Sequence, residues 1–271
     1  MKNIKIIALD LDDTLLREDL SISDFTVSVL QEAAQKGIYS VLASGRIENA
    51  IYPFAQRINL THCEYGRYFV AQNGGTIFDT LLQKQIYSKN LDATILRFIY
   101  KKALEQGLYV QVYEDSSIYV PKENPWTEWD TKLSGLEMCV VADYEAFLGK
   151  TFPKMVIPGD PQVLQGFQKE LQKAIGSVTE IFISKPYFLE VMPKNCGKGQ
   201  ALLILSQLLG IDKDNVLIFG DSMNDESMFD CFSHTVAMKN GLDYIKNKAK
   251  YITDYSHNED GVAHFLKKYV L

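Results

Sequence analysis

The sequence lacks several features of secreted, membrane and nucleic-acid-binding proteins. It has four cysteines in 271 residues and no Cys-x-x-Cys pair, so we expect reduced thiols without a disulfide framework. No run of residues is long and apolar enough to span a membrane, and residues 1–5 lead directly into a predicted strand, which leaves no room for a signal peptide. The net charge of −6 argues against a nucleic-acid surface. We therefore expect a cytoplasmic protein.

Three common ligand-binding signatures are also missing. The chain has no Gly-x-Gly-x-x-Gly fingerprint, and the segment around Lys198 lacks the first Gly and the Ser or Thr of a P-loop. An EF-hand loop that began at Asp10 would need Gly at its sixth and Glu at its twelfth position, where this chain has Leu15 and Ser21. The composition, 46% hydrophobic and 23% charged, is that of an ordinary globular protein with one large or two modest domains.

Three carboxylates follow the first apolar run of the chain. Residues 6–9 are β-formers, which predicts a buried strand that ends at Asp10. Because strand side chains alternate, we expect Asp10 and Asp12 to face the same way. Two carboxylates in one small volume stay ionised only if a cation, a proton or hydrogen-bond donors compensate their repulsion. The alternative is that these aspartates cap a helix or shape a turn.

A second acidic motif, Gly220–Asp225, follows another apolar run at 216–219. Ligands of open α/β sheets bind at the carboxyl ends of the strands, so parallel strands would place Asp221 and Asp225 beside Asp10. Oxygen ligands without a nearby His or Cys favour Mg²⁺ over zinc. For this motif alone a capped turn is the alternative, but the two motifs together predict a Mg²⁺ site.

Two further segments are candidates for anion binding. Ser44-Gly45-Arg46 ends a predicted strand at 38–43 and begins a helix, so a hydroxyl, a glycine amide and a helix N-terminus form an anion cradle. Lys198 lies between two glycines at the start of another predicted helix and can pair with a phosphate. Taken alone, Ser44 is also a common N-cap, and Lys198 is also an ordinary solvated lysine at a helix start.

The order of the predicted elements divides the chain into a core and an insertion. Strands and helices alternate at both ends, including a helix at 23–36 with Ser23 as its N-cap. In the middle, strand pairs separated by helices indicate an α+β unit, in which 121–135 is irregular and contains both tryptophans. We predict an α/β protein: a Rossmann-like parallel-sheet core, 1–82 and 188–271, with an inserted α+β cap domain, 83–187.

The motifs resemble those of the haloacid dehalogenase-like superfamily and, within it, of the Cof-type sugar-phosphate phosphatases. In chain order the four that match are Asp10–Leu16, Ser44–Arg46, Lys198 and Gly220–Asp225. The subgroup signatures are matched by Gln72–Gly75, Met238–Gly241 and Asn258–Val262. Asp13 stands where the subgroup usually has Gly, and Ser44 stands where Thr is common, but both variants keep the needed chemistry. The cap matches only in length and in its βα pattern.

This resemblance implies a Mg²⁺-dependent phosphatase that hydrolyses small-molecule phosphate monoesters, such as sugar phosphates, through an aspartyl phosphate. Asp10 would be the nucleophile, and Asp12 would be the general acid and base. The phosphoryl oxygens would be held by two backbone amides and three side chains: Leu11 and Gly45, and Ser44, Lys198 and Asn224. Mg²⁺ would be bound by Asp10, the Asp12 carbonyl and Asp221, with Asp225 supporting the site.

Two other activities stay open. A phosphomutase or phosphotransferase uses the same aspartyl phosphate but passes the phosphoryl group to a sugar hydroxyl. A non-catalytic phosphate-binding regulator binds Mg²⁺ and phosphate without turnover, as receiver domains do, although those domains are much shorter and lack a cap. In each case we expect a small phosphorylated ligand and neither a nucleic-acid nor a membrane partner, and we make no prediction of an oligomer.

Overall fold

A computed structural model describes residues 1 and 3–271 of the chain. Its strands are β1 Ile6–Leu9, β2 Tyr39–Ala43, β3 Tyr68–Ala71, β4 Thr76–Asp79, β5 Lys84–Ser88, β6 Val112–Glu114, β7 Ser117–Val120, β8 Glu137–Val140, β9 Met155–Pro158, β10 Thr179–Lys185, β11 Phe188–Pro193, β12 Val216–Gly220, β13 His234–Ala237 and β14 Tyr251–Ile252. Its α-helices are α1 Asp24–Gln35, α2 Glu48–Arg57, α3 Ala93–Glu105, α4 Pro125–Ser134, α5 Tyr144–Phe147, α6 Pro161–Ile175, α7 Lys198–Leu208, α8 Glu226–Cys231, α9 Asp243–Lys248 and α10 Gly261–Tyr269.

The first of two compact units contains residues 1–87 and 197–271. Its sheet has the strand order β14-β13-β12-β1-β2-β3-β4-β5. The strands from β14 to β3 are parallel, whereas β4 returns antiparallel to β3. The carboxyl ends of β12, β1, β2 and β3 therefore lie side by side at one edge, which is the edge where the predicted motifs begin.

The sequence of β1 explains its central position. All four of its residues are buried, and they alternate between two hydrophobic clusters: Ile7 and Leu9 belong to one, and Ile6 and Ala8 belong to the other. A parallel strand covered by helices on both faces needs such a continuous apolar run. The neighbouring helix α1 begins as predicted, because the Ser23 side chain accepts a hydrogen bond from the Thr26 amide over 3.0 Å.

The second unit contains residues 88–196. It has two three-stranded sheets, ordered β10-β11-β9 and β6-β7-β8, and a hydrophobic core to which α3 and α6 contribute. The prediction of an irregular segment at 121–135 is wrong, because α4 occupies most of it. Its sequence carries the usual signals: Asn124 caps the N-terminus, Pro125 takes the first turn, and Gly135 ends the helix at a φ of 72°.

The predicted fold class, an α/β Rossmann-like parallel-sheet core with an inserted α+β unit, is confirmed. The unit boundaries fall after residues 87 and 196, compared with the predicted 82 and 187. All four cysteines are free thiols. Within residues 1 and 3–271, the helices are all too short or too polar to cross a bilayer.

Candidate active site

A group of three buried carboxylates lies where β1 and β12 end. One oxygen each of Asp10, Asp221 and Asp225 lie within 4.8 Å of one another. Asp10 follows β1 directly, and Asp221 follows β12, which is the parallel neighbour of β1. The prediction that these two strand ends meet is therefore confirmed by the geometry.

Lys198 lies between two carboxylates of this group, those of Asp10 and Asp225. Its side chain is fully buried, and its Nζ donates to Asp10 over 2.5 Å and to Asp225 over 2.7 Å. Gly199 makes this possible, because a Cβ there would lie 2.0 Å from the Ser227 carbonyl oxygen, so only glycine lets α7 pack closely on α8. The alternative of a solvated lysine is wrong for this position.

The charges of this group do not balance, since it contains three buried carboxylates and one buried ammonium. Burial and the nearby Asp225 raise the pKa of Asp10 well above its usual value, although Lys198 opposes the rise. Burial and the charges of Asp225 and Asp13 raise the pKa of Asp221 to about 7. Burial alone would lower the pKa of Lys198, but attraction to Asp10 and Asp225 outweighs it and raises that pKa. A cation is the natural complement of such a site.

Asp12 occupies a different environment from Asp10. The strand ends at Leu9, and the backbone then enters an irregular turn in which Asp13 has a φ of 61°, so strand alternation does not govern these side chains. The two carboxylate oxygens of Asp12 accept from Arg46, over 2.7 Å from Nη2 and 3.0 Å from Nε. Asp12 is not in the three-carboxylate group found among the described residues.

Asp221 and Asp225 are held in different ways. Thr14 donates to one oxygen of Asp221 over 3.1 Å. Asp225 is fully buried: one of its oxygens accepts from Lys198, and the other accepts from the backbone amides of Asp221 and Ser222 over 2.9 and 3.3 Å. Asp225 therefore links the loop after β12 to Lys198 through hydrogen bonds.

The candidate phosphate-binding groups come from the neighbouring strand ends. Ser44 is buried directly after β2, and its Oγ accepts from the Arg46 amide over 3.2 Å. Asn224 accepts from Ser222 over 2.7 Å and donates to Asn73 over 3.3 Å. Leu11 is buried immediately after Asp10. The structure thus connects Asn224 to the segment after β3, and it connects the Ser44 motif to Asp12 through Arg46.

Three residues that contact this site, Arg46, Thr14 and Asn73, belong to the predicted motifs, but sequence reasoning assigned none of them an individual role. Arg46 was part of the predicted anion cradle, and a planar guanidinium two residues after Ser44 is a natural partner for a carboxylate. Thr14 carried no separate signal, because its contact with Asp221 joins residues 207 positions apart. Asn73 was recognised only as part of the subgroup signature Gln72–Gly75.

Comparison with known proteins identifies the family. The model of the haloacid dehalogenase-like hydrolase family matches residues 7–266. The chain belongs to this family. A Streptococcus pyogenes serotype M6 protein named "Putative phosphatase" is 30% identical over 99% of this chain and 99% of its own length.

Two further proteins that are similar to this haloacid dehalogenase-like hydrolase support the same family. The 5-amino-6-(5-phospho-D-ribitylamino)uracil phosphatase of Bacillus subtilis is 27% identical and covers 97% of each chain. A crystal structure of a haloacid dehalogenase-like hydrolase from Bacteroides thetaiotaomicron is 29% identical, with a TM-score of 0.89 over 98% of this chain and 99% of that one. The predicted resemblance and the prediction of a phosphatase enzyme are therefore confirmed.

Proposed function

We propose that this enzyme hydrolyses small-molecule phosphate monoesters in the presence of Mg²⁺ through phosphorylation of Asp10. The observation that carries this proposal is the Lys198 ammonium between Asp10 and Asp225, beside Asp221. A buried lysine and three carboxylates at adjacent strand ends provide a nucleophile, a phosphate ligand and cation ligands in one place. Phosphoryl transfer requires mainly this positioning and charge neutralisation.

The chemistry of the donors fits Mg²⁺. The carboxylates of Asp10 and Asp221, with the Asp12 carbonyl, offer oxygen ligands, which this small hard cation prefers. Both oxygens of Asp225 already accept hydrogen bonds, so we assign it a supporting role. When bound, Mg²⁺ would neutralise charge on the phosphate dianion and on these carboxylates.

Two aspartates carry out different steps of the proposed reaction: Asp10 the covalent step and Asp12 the proton transfers. A carboxylate oxygen of Asp10 forms a bond to phosphorus as the bond between phosphorus and the substrate alcohol breaks. Asp12, with one oxygen released from Arg46 and protonated, gives its proton to the departing alcohol and then takes a proton from the water that attacks the aspartyl phosphate, so that inorganic phosphate and free Asp10 result. Five groups would hold the phosphoryl oxygens: the amides of Leu11 and Gly45 and the side chains of Ser44, Lys198 and Asn224.

Steady release of inorganic phosphate from p-nitrophenyl phosphate, with Mg²⁺ present, tests the proposal. We expect acid quenching during turnover to trap a phosphoprotein, and borohydride reduction to mark Asp10 as its site. A stable phosphoprotein without turnover would instead indicate the regulator. Transfer of phosphate to added sugar alcohols, faster than hydrolysis, would indicate a phosphotransferase.

We expect the Arg46→Lys variant to lower kcat about tenfold, because lysine keeps the charge but cannot bind both oxygens of Asp12 in a planar fork. The Arg46 guanidinium also lies 5.4 Å from the centre of the Phe54 ring, which helps to hold it beside Asp12. The measurement is kcat on p-nitrophenyl phosphate. The matched control is Arg57→Lys, since Arg57 pairs with the almost fully exposed Asp24. Equal kcat values for the two variants would contradict a role of Arg46 in positioning Asp12.

We also propose that residues 88–196 select the substrate, because the predicted catalytic groups all lie outside this unit. Within it, the Trp126 ring stacks on Tyr187 with centroids 6.3 Å apart, and Trp129 donates to the Tyr187 hydroxyl over 3.3 Å. Trp129 is 50% exposed, so it does not simply fill the core of the unit. Exposed aromatic rings suit contact with the non-reacting part of a substrate.

We therefore expect Trp129→Ala to change the relative kcat/KM values within a panel of phosphorylated metabolites by about tenfold. This change should alter the order of preferred substrates. The rate on p-nitrophenyl phosphate should change much less, because its leaving group is small. Leu104→Ala removes a comparably exposed apolar side chain from α3 of the same unit and serves as the control. Equal losses on all substrates, with a lower Tm, would show that Trp129 is only structural.

A further inference from the structure

The backbone after β3 has an unusual conformation. Gln72, Asn73 and Gly74 have φ values of 52°, 54° and 91°, so three successive residues are left-handed. Gln72 is the least suited of the three, because an L-residue with a long side chain and no local hydrogen bond rarely adopts this region. Both Gln72 and Asn73 are buried, and the Oε1 of Gln72 has no hydrogen-bond partner. Such strain persists only where the surroundings impose it, and it concentrates at functional sites.

The surroundings that impose this conformation belong to the candidate active site. The Gln72 amide donates to the Arg46 carbonyl over 2.8 Å, and the Asn73 amide donates to the Ser44 carbonyl over 2.9 Å. A Cβ on Gly74 would lie 2.1 Å from the carbonyl oxygen of Gly197, the residue before Lys198. The loop therefore hydrogen-bonds to the Ser44–Arg46 motif and packs against the residue before Lys198.

The side chain of Asn73 contacts two of the proposed phosphate-binding groups. Its Oδ1 accepts from the Nδ2 of Asn224 over 3.3 Å. A Cβ built on Gly45 would lie 3.0 Å from the same Oδ1, so the carboxamide packs directly against the Gly45 backbone. Asn73 thus lies between the Asn224 side chain, which follows β12, and the Gly45 backbone, which follows β2.

We propose that Asn73 is a positioning residue for phosphate binding, which acts by orienting the Asn224 carboxamide and by limiting movement of the Gly45 amide. The strained loop places Asn73 where a relaxed turn would not. This inference rests on the proposed function, since it assumes that Asn224 and Gly45 hold the phosphoryl group. Asn73 itself is not proposed to touch the phosphate.

The decisive variant is Asn73→Gly, because glycine adopts the left-handed backbone freely and the substitution removes the whole side chain with its carboxamide. We expect kcat/KM on p-nitrophenyl phosphate to fall about tenfold and inhibition by inorganic phosphate to weaken by a similar factor, while Tm stays near the wild-type value. Asn59→Gly is the matched control, because Asn59 is an exposed asparagine of the same unit with a φ of 58°.

A double variant tests the route through Asn224. If Asn73 acts by orienting Asn224, then Asn73→Gly should add little to the loss already caused by Asn224→Ala. Fully additive losses would overturn this route, and an Asn73→Gly enzyme with wild-type kcat/KM and phosphate inhibition would overturn the whole inference. A wild-type protein that hydrolyses no phosphate monoester would instead contradict the proposed function, so the two failures are distinguishable.

Discussion

The Asp10→Asn variant is expected to lose phosphatase activity by at least about a thousandfold, because an amide cannot form the aspartyl phosphate. The Asp10 residue is 4% exposed, and asparagine has nearly the same size. Asparagine also removes one of three mutually repelling carboxylates, while Lys198 keeps its bond to Asp225. The Tm without added metal should therefore stay level or rise.

The measurements are kcat on p-nitrophenyl phosphate, the amount of phosphoprotein after acid quenching, and Tm. Asp13→Asn is the matched control: it makes the same substitution three residues later, at a carboxylate that is 57% exposed and is not in the buried group. Asp13 has a φ of 61°, which asparagine tolerates well. An Asp10→Asn enzyme that kept several per cent of the wild-type kcat would show that another group attacks phosphorus.

The parts of the site that sequence could predict are those that depend on where strands end. Apolar runs that stop at Asp10 and Asp221 indicate two buried strands, and the rule for open α/β sheets brings their carboxyl ends together. No long-range contact had to be known for that step. The same reasoning placed Ser44 at the end of another strand, and the structure has that strand, β2, beside β1.

The parts that sequence missed depend on backbone geometry outside regular structure. The orientation of Asp12 was predicted from strand alternation, but the chain leaves the strand at Leu9, so Asp12 contacts Arg46 instead. Asn73 reaches Asn224 because of left-handed residues that a Gln-Asn-Gly-Gly sequence permits but does not require. Neither contact leaves a periodic pattern in the sequence.

Addition of Mg²⁺ is expected to raise Tm by on the order of 5 °C at a hundredfold excess over its Kd, because it binds the folded carboxylate group and not the unfolded chain. The same addition should be required for activity, and excess EDTA should abolish turnover. Asp221→Ala should raise the Mg²⁺ concentration needed for activity and reduce the shift in Tm. Full activity in EDTA would contradict the assignment of a metal to this site.

The increase in Tm caused by Mg²⁺ should also depend on pH. The sign of this dependence follows from the raised pKa of Asp221. The pKa of this carboxyl is raised from 3.8 to about 7 in the folded protein, so between these values the folded state binds more protons than the unfolded state. Without metal, stability from this group is therefore present at low pH and lost as pH rises towards 7. Because Mg²⁺ binds the ionised carboxylate, it should offset this loss, and its effect on Tm should grow from pH 5 to pH 8. Thermal melts with and without Mg²⁺ across this range provide the measurement, with the exposed Asp243→Ala variant as the control. A shift that shrank as pH rose would show that Mg²⁺ binds elsewhere.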